Sequence, residues 1–138
     1  MAPLDGATYV HTFSNNGTTD VGFGTRGTHS ELSHLYYVTL GNKGLCKPDD
    51  ADPGSCVVQN GWGLKNAGPF VNVVALAGHW TGAESMCPCG SLKTWLIDLT
   101  TGRQGQLLGS NLQGAWPVHD GDLAPTGELA NLTLKTSV

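Results

Sequence analysis

The sequence predicts a single all-β domain over residues 1–138, either a small antiparallel up-and-down β-barrel or, as the alternative, a β-sandwich. Three observations support this prediction. Glycine accounts for 20 of the 138 residues, about twice its average share. Short segments of alternating or β-branched residues recur along the chain, and turn signals separate them. Glycine and β-branched residues both disfavour long helices.

The strand pattern recurs in nine segments. In chain order they are residues 8–13, 20–24, 34–40, 56–59, 70–76, 79–81, 93–99, 104–108 and 131–136. Residues 34–40 (HLYYVTL) carry the strongest pattern, because Tyr, Val and Thr favour strands. Turn signals such as residues 14–17 (SNNG) end these segments. Residues 28–32 (THSEL) are the one segment that favours a helix, and they are too few to change the fold class.

Composition and charge restrict the class of partner. Charged residues make up 13% of the chain, about half the average share, and the formal net charge is -4. A surface of low charge that is rich in polar residues and glycine is typical of extracellular β-proteins, so we expect a secreted or extracellular chain. The seven Lys and Arg residues are scattered, which argues against nucleic-acid binding. No apolar stretch approaches the roughly 18 residues of a membrane span.

The cysteines Cys46, Cys56, Cys87 and Cys89 predict two disulfides, because an even number in a short extracellular-type chain indicates a disulfide framework. Pairing Cys46 with Cys56 closes the polar loop 47–54 (KPDDADPG) and is favoured. A bond between Cys87 and Cys89 closes a tight ring, so cross-pairing of the two clusters stays open. Free thiols and a four-thiolate zinc site are further alternatives, although the usual zinc spacing is Cys-x2–4-Cys. The Cys-x-x-Cys redox motif is absent.

The motifs of common catalytic classes are missing, so we expect a binding protein rather than an enzyme, without cofactor or metal. The chain has no Gly-x-Ser-x-Gly, no His-Glu-x-x-His and no Walker-type phosphate loop. Of the polar clusters in the chain, His119, Asp120 and Asp122 are the best suited to bind a ligand or a cation. This cluster is either a loop that binds a hard cation or a solvated turn.

Four tryptophans follow an order that resembles the avidin and streptavidin family. The matching segments are Gly61-Trp62, residues 80–82 (WTG, where the family has Trp-Ser-Gly), residues 93–102 (KTWLIDLTTG) and residues 131–135 (NLTLK). Residues 6–14 and 27–30 are more weakly similar to the family's first strands. Val10 and Phe13 differ from the Asn and Gly that the family has at those positions.

The resemblance implies a barrel whose open end binds a small molecule such as biotin. It implies that Trp80, Trp95 and Trp116 are apolar walls and that Ser14 and Asn131 are polar contacts. In the family a neighbouring subunit supplies one wall, so the resemblance also implies a homo-oligomer. An eight-stranded barrel has an interior that can hold one small ligand.

Two other functions stay open. A lectin-like, carbohydrate-binding module would stack sugar rings on aromatic faces and bind their hydroxyls with carboxylates. Its candidate residues are Trp62, Trp80, Trp116, Asp120 and Asp122. A proteinase inhibitor or secreted effector would act through residues 47–54, held by a disulfide.

Overall fold

The computed structural model describes residues 8–24, 30–71, 73, 78–111 and 113–115. Within these ranges six strands form one open, mixed β-sheet, and one short helical region packs against it. The described part of the chain is therefore built mostly on strands, as the sequence predicts.

The strands in chain order are β1 (Phe13–Ser14), β2 (Val21–Gly22), β3 (Gly78–Met86), β4 (Leu92–Asp98), β5 (Arg103–Leu107) and β6 (Gly114–Ala115). Their order across the sheet is β1-β2-β5-β4-β3-β6. The pairs β2/β5, β5/β4 and β4/β3 are antiparallel. The two edge strands pair in parallel with their neighbours, β1 with β2 and β6 with β3.

The open sheet corrects the predicted barrel. A barrel closes only when the first and last strands of the order pair with each other. Here β1 and β6 lie at opposite ends of the order, and each has two residues. The described strands also lie in one sheet, so they do not form the two stacked sheets of a β-sandwich.

Four of the predicted strands are confirmed, since residues 20–24, 79–81, 93–99 and 104–108 overlap β2, β3, β4 and β5. Segment 8–13 is a strand only at its last residue, Phe13. Segment 56–59 contributes one isolated bridge, between Cys46 and Val58. The described residues of segment 70–76 are not in a strand, and segment 131–136 lies outside the described residues.

The strand predicted at residues 34–40 is wrong, because this segment is helical. Helix α1 (Glu31–His34) begins after Ser30, whose hydroxyl accepts a hydrogen bond from the Ser33 N–H at 3.3 Å. The chain continues as a π-helical segment, Leu35–Thr39. No helix among the described residues is long and apolar enough to cross a membrane.

Packing explains why this segment is helical. Tyr36 and Tyr37 are adjacent and both buried, at 1% and 8% exposure. Successive side chains of a strand point to opposite faces, so a strand could not place both rings in one core, whereas a helical turn can. Burial of both rings therefore overrides the strand propensity of the residues around them.

The main core lies between these tyrosines and one face of the sheet. The rings of Tyr36 and Tyr37 meet edge to face, 4.9 Å apart, and pack in one cluster with Ile97 and Leu99. The Tyr37 hydroxyl donates to the Gly102 carbonyl at 2.6 Å. Burial raises the pKa of both hydroxyls, that of Tyr37 to about 12. This core fixes β4 and the turn that joins it to β5.

Candidate functional site

The register of the central strands sorts their side chains onto two faces. Trp80 pairs with Leu96, which pairs with Gly105, so these three residues share one face, here called the groove face. Trp95 lies on the opposite face together with Ile97, and we call this the core face.

A groove of about 400 Å³ runs along β5. Its lining residues are His11, Val21, Lys93, Leu96, Asp98, Arg103, Gly105, Gln106 and Leu107. Strand β2 joins β5 at Gly22 and Gln104, and the residues of β5 that line the groove lie on both sides of Gln104. Its volume lies within the range of roughly 300–1,000 Å³ that is usual for small-ligand sites.

Gly105 provides an open floor to the groove. A Cβ at this position would have no neighbouring atom within 4 Å. Leu96, its partner on β4, is a buried apolar residue beside it, and Val21 and Leu107 add further apolar lining. A glycine inside a strand often marks a place where a ligand approaches the backbone closely. The geometry at Gly105 therefore identifies this groove as the candidate site.

The charged residues that line the groove make it locally positive. Lys93 and Arg103 contribute two positive charges against the one carboxylate of Asp98, a formal balance of +1. Both Asp98 oxygens already accept hydrogen bonds, one from the Thr100 N–H at 2.8 Å and one from the Thr101 hydroxyl at 2.7 Å. The whole chain carries -4. The groove is thus locally positive in an acidic protein, which favours an anionic ligand group.

A chain of hydrogen bonds fixes two of the polar lining residues. His11 Nδ1 lies 2.8 Å from Gln106 Oε1, and Gln106 Nε2 donates to the Ser85 hydroxyl at 2.6 Å. The Trp95 indole N–H donates to the same hydroxyl at 3.0 Å. The rings of Tyr9 and His11 lie 4.8 and 5.7 Å from the Trp95 ring. This network holds His11 and Gln106 in place at the border of the groove.

The structure does not bring Trp80 and Trp95 together as two walls of one cavity. Trp80 is half-buried on the groove face, whereas Trp95 is 1% exposed on the core face, under Tyr9 and His11. Ser14 is also buried, and its hydroxyl accepts hydrogen bonds from Thr19. The other predicted contacts, Trp116 and Asn131, lie outside the described residues, as do His119, Asp120 and Asp122.

Trp62 lines a separate groove of about 390 Å³. The indole is half-buried, and the groove is lined by Gly61, Gly63, Leu64, Lys65 and Thr100 as well. None of these residues lines the groove along β5. Trp62 and Gly105 therefore lie in two different grooves.

The four cysteines form two disulfides, Cys46–Cys56 and Cys87–Cys89. The first confirms the favoured pairing, and the second shows that cross-pairing of the two clusters is wrong. All four sulfurs are bonded, so the alternatives of free thiols and of a four-thiolate zinc site are wrong as well. The described ranges contain no group of three or more His, Cys, Asp or Glu that could hold a metal ion.

Asn15 holds the loop that Cys46–Cys56 closes. It is 1% exposed, and its N–H donates to the Pro53 carbonyl at 2.7 Å. Its side-chain amide contacts three backbone groups of the loop, the N–H of Asp49 (3.2 Å) and the carbonyls of Asp52 (3.3 Å) and Ser55. Residues 47–52 remain exposed on this rigid support. An inhibitory or effector function of the loop stays a prediction.

Sequence reasoning missed the groove along β5. Gly105 carried a usable signal, since it is a lone glycine inside the strand pattern of residues 104–108. His11 and Arg103 carried none. They border one groove because His11 lies against Gln106 of β5 and Trp95 of β4, and local sequence does not encode these contacts between distant residues.

Comparison of the chain with protein families, with curated proteins and with solved structures finds no match. The resemblance to avidins therefore stays a prediction.

Proposed function

We propose that the protein binds a small organic molecule with an apolar body and one anionic group in the groove along β5. The observation that carries this proposal is the open space above Gly105. Glycine weakens a strand relative to the β-branched and aromatic residues that fill a sheet face. A glycine that leaves a groove open between apolar neighbours is therefore better explained by an occupant of the groove than by the stability of the sheet.

The chemistry of the ligand follows from the lining. Leu96, Val21 and Leu107 offer apolar surface, and burying it against an apolar body is favourable by about 25 cal/mol per Å². Arg103 lies at the groove with a planar guanidinium, which suits a carboxylate because it can donate two parallel hydrogen bonds. Lys93 adds a second positive charge.

Biotin fits this description, as an apolar body with a carboxylate, and it is also the ligand that the resemblance to avidins implies. In the present proposal it would lie over Gly105 rather than between Trp80 and Trp95. A homo-oligomeric state and a secreted or extracellular location remain part of the proposal. Two disulfides support the location, because disulfides persist in oxidising compartments.

Thermal unfolding with candidate ligands tests the proposal. The panel consists of biotin and octanoate, each compared with its own uncharged amide. A ligand that binds only the native state adds about 2.7 kcal/mol of stability at one hundred times its Kd. We expect at least one acid to raise the melting temperature clearly and its amide to raise it less. If neither acid changes the melting temperature at saturating concentration, the proposal is wrong.

Two glycine variants locate the binding site. Gly105→Phe fills open space and is expected to abolish the ligand-induced shift while the variant still unfolds cooperatively. Gly109→Ala is the matched control, because its Cβ would make an ordinary 3.6 Å contact with Thr94 and the residue does not line the groove. A full ligand shift in Gly105→Phe would place binding elsewhere.

The groove at Trp62 supports carbohydrate binding as a second function. Its indole is half-buried, and the Cβ position of neighbouring Gly61 has no atom within 4 Å. A half-exposed indole beside a glycine suits stacking of a sugar ring. A glycan array probed with the native chain and with Trp62→Ala tests this function, and an array without signal for the native chain would refute it.

A further inference from the structure

The two disulfides differ in how the fold supports them. Cys46–Cys56 spans ten positions and closes a loop that Asn15 also holds. Cys87–Cys89 spans two positions at the tip of the hairpin between β3 and β4. Its turn is closed independently by the backbone, since the Cys87 N–H donates to the Ser91 carbonyl and the Gly90 N–H to the Cys87 carbonyl, both at 2.9 Å. Opening this disulfide therefore leaves the hairpin intact.

Loop length also sets how strongly each bond resists reduction. The chain entropy that a disulfide removes from the unfolded state grows with the length of the loop that it closes. A bond that stabilises the fold more is harder to reduce by the same amount, because folding and reduction are linked equilibria. The long loop therefore protects Cys46–Cys56, and the short ring gives Cys87–Cys89 much less protection.

The hairpin tip presents the exposed member of the pair to solvent. Cys87 is 6% exposed, whereas Cys89 is exposed, as are Pro88 and Gly90 on either side of it. No atom lies within 4 Å of the Cβ position of Gly90. Access decides which sulfur a thiolate attacks. An incoming thiolate therefore reaches Cys89, and Cys87 is the leaving group.

Apolar side chains flank the tip and indicate the class of partner. Met86 and Leu92 pair across β3 and β4 next to the disulfide, and they are 59% and 53% exposed. Methionine in particular suits surfaces that bind varied apolar partners. An exposed apolar pair beside a reactive disulfide can bind a polypeptide whose own apolar residues are exposed to solvent. A small hydrophilic thiol offers no such apolar contact.

From these observations we propose that Cys87–Cys89 is an exchange-active disulfide that oxidises two thiols of an unfolded or partly folded polypeptide to a disulfide. This activity lies outside the groove along β5 and does not depend on ligand binding there.

The exchange balances without a further reagent. A thiolate of the partner attacks Cys89 Sγ, the Cys87–Cys89 bond breaks, and Cys87 leaves as a thiolate. The partner's second thiolate then attacks its own sulfur in the mixed disulfide and releases Cys89. Two electrons pass from the partner dithiol to the protein disulfide, and the two protons of the partner thiols end on Cys87 and Cys89.

Selective reduction of the native chain tests the first part of the proposal. The protein is equilibrated in glutathione buffers of graded redox ratio, free thiols are trapped by alkylation, and peptide mass spectrometry quantifies each disulfide. We expect Cys87–Cys89 to have an equilibrium constant for reduction about tenfold larger than that of Cys46–Cys56, a difference of about 30 mV, with unchanged circular dichroism. Reduction of both disulfides at the same ratio, or of Cys46–Cys56 first, would overturn the proposal.

Transfer to a substrate tests the second part. Native protein should convert a reduced, unfolded ribonuclease to disulfide-bonded forms, and Cys87→Ser/Cys89→Ser should lose this ability while keeping Cys46–Cys56. Met86→Ser/Leu92→Ser should react about fivefold more slowly with the polypeptide, because apolar contact is lost, and at the native rate with glutathione. Equal rates of the native chain and the cysteine variant would exclude the disulfide as oxidant. An unchanged polypeptide rate in the Met86/Leu92 variant would exclude the partner class.

Discussion

The loop of residues 47–55 is held by two constraints, the Cys46–Cys56 bond and the side chain of Asn15, and their removal should not be additive. Replacing both cysteines by serine removes a cross-link across ten positions, which the chain-entropy relation values at about 2.7 kcal/mol. Asn15→Ala removes three side-chain hydrogen bonds. At about 0.5–1.5 kcal/mol each, and with two of the three longer than 3.1 Å, we expect a loss of about 2 kcal/mol.

The two losses are coupled because both constraints act on the same backbone. Without the disulfide the loop gains freedom, so part of the Asn15 bonding is already lost before Asn15 is replaced. Asn15→Ala should then cost about 1 kcal/mol instead of 2, a coupling within the usual range of about 0.5–3 kcal/mol for groups in contact. Urea unfolding followed by tryptophan fluorescence measures each free energy, with a slope of about 1–3 kcal/mol per molar expected for a chain of this size.

The Cys87→Ser/Cys89→Ser background is the control for this cycle. The Cys87–Cys89 disulfide lies at the tip of the β3–β4 hairpin, and three strands separate β3 from β1, which Asn15 follows. In this background Asn15→Ala should therefore cost its full loss of about 2 kcal/mol, additive within about 0.5 kcal/mol. A cost below about 0.5 kcal/mol in the native background would show that Asn15 does not hold the loop. The same cost in the native chain and in the Cys46→Ser/Cys56→Ser background would show that Asn15 and Cys46–Cys56 act on separate structures.

Further predictions concern the core and its tyrosines. Ile97→Ala should destabilise the fold by about 2–5 kcal/mol in urea unfolding, because Ile97 is 0% exposed. Leu92→Ala, at a 53% exposed position, should change stability by less than about 0.5 kcal/mol. A loss in Leu92→Ala as large as that in Ile97→Ala would contradict this placement of the core. Burial raises the pKa of Tyr9, Tyr36 and Tyr37 above 10.0, that of Tyr37 to about 12. The unfolded chain ionises first as pH rises, so the stability that neutral Tyr37 contributes is complete below pH 10 and is lost up to about pH 12, by about 1.4 kcal/mol per pH unit. In a tyrosinate absorbance titration of the native protein, Tyr36 and Tyr37 should therefore ionise above pH 10, and a step at pH 10 with the amplitude of all three tyrosines would refute their buried positions.

Local sequence was sufficient to predict the centre of the sheet. Residues 79–81, 93–99 and 104–108 each carry a strand pattern of their own, and these segments overlap β3, β4 and β5. Ile97 lies within the predicted strand 93–99, and the structure places its side chain in the core. The disulfide Cys46–Cys56 was predictable for a similar reason, since both cysteines border one short polar loop.

Features that depend on distant residues were not predictable from local sequence. Residues 34–40 have strand propensity, but they are helical because only a helical turn packs both Tyr36 and Tyr37 into one core with Ile97. The groove depends on the order β2-β5-β4 and on the contacts of His11 with Gln106 and Trp95, which bring His11 and Arg103 to one surface although they are far apart in the chain. The barrel was expected because frequent turns suggest closure, but two-residue strands at both ends of the sheet leave it open.

Strand β4 contributes to both proposed activities, and its geometry keeps them separate. Leu96 and Asp98 lie near one end of the strand, beside the open floor at Gly105, whereas Leu92 flanks the Cys87–Cys89 disulfide at the other. Lys93 also lines the groove and follows Leu92, but successive side chains of a strand point to opposite faces. Leu92 and Leu96 are four positions apart, which corresponds to about 13 Å along a strand. Gly105→Phe should therefore abolish ligand binding without changing thiol exchange, and Met86→Ser/Leu92→Ser should slow exchange with a polypeptide without changing ligand binding. Since each variant serves as the folding control for the other, loss of both activities in either variant would indicate damage to β4 and not the loss of a site.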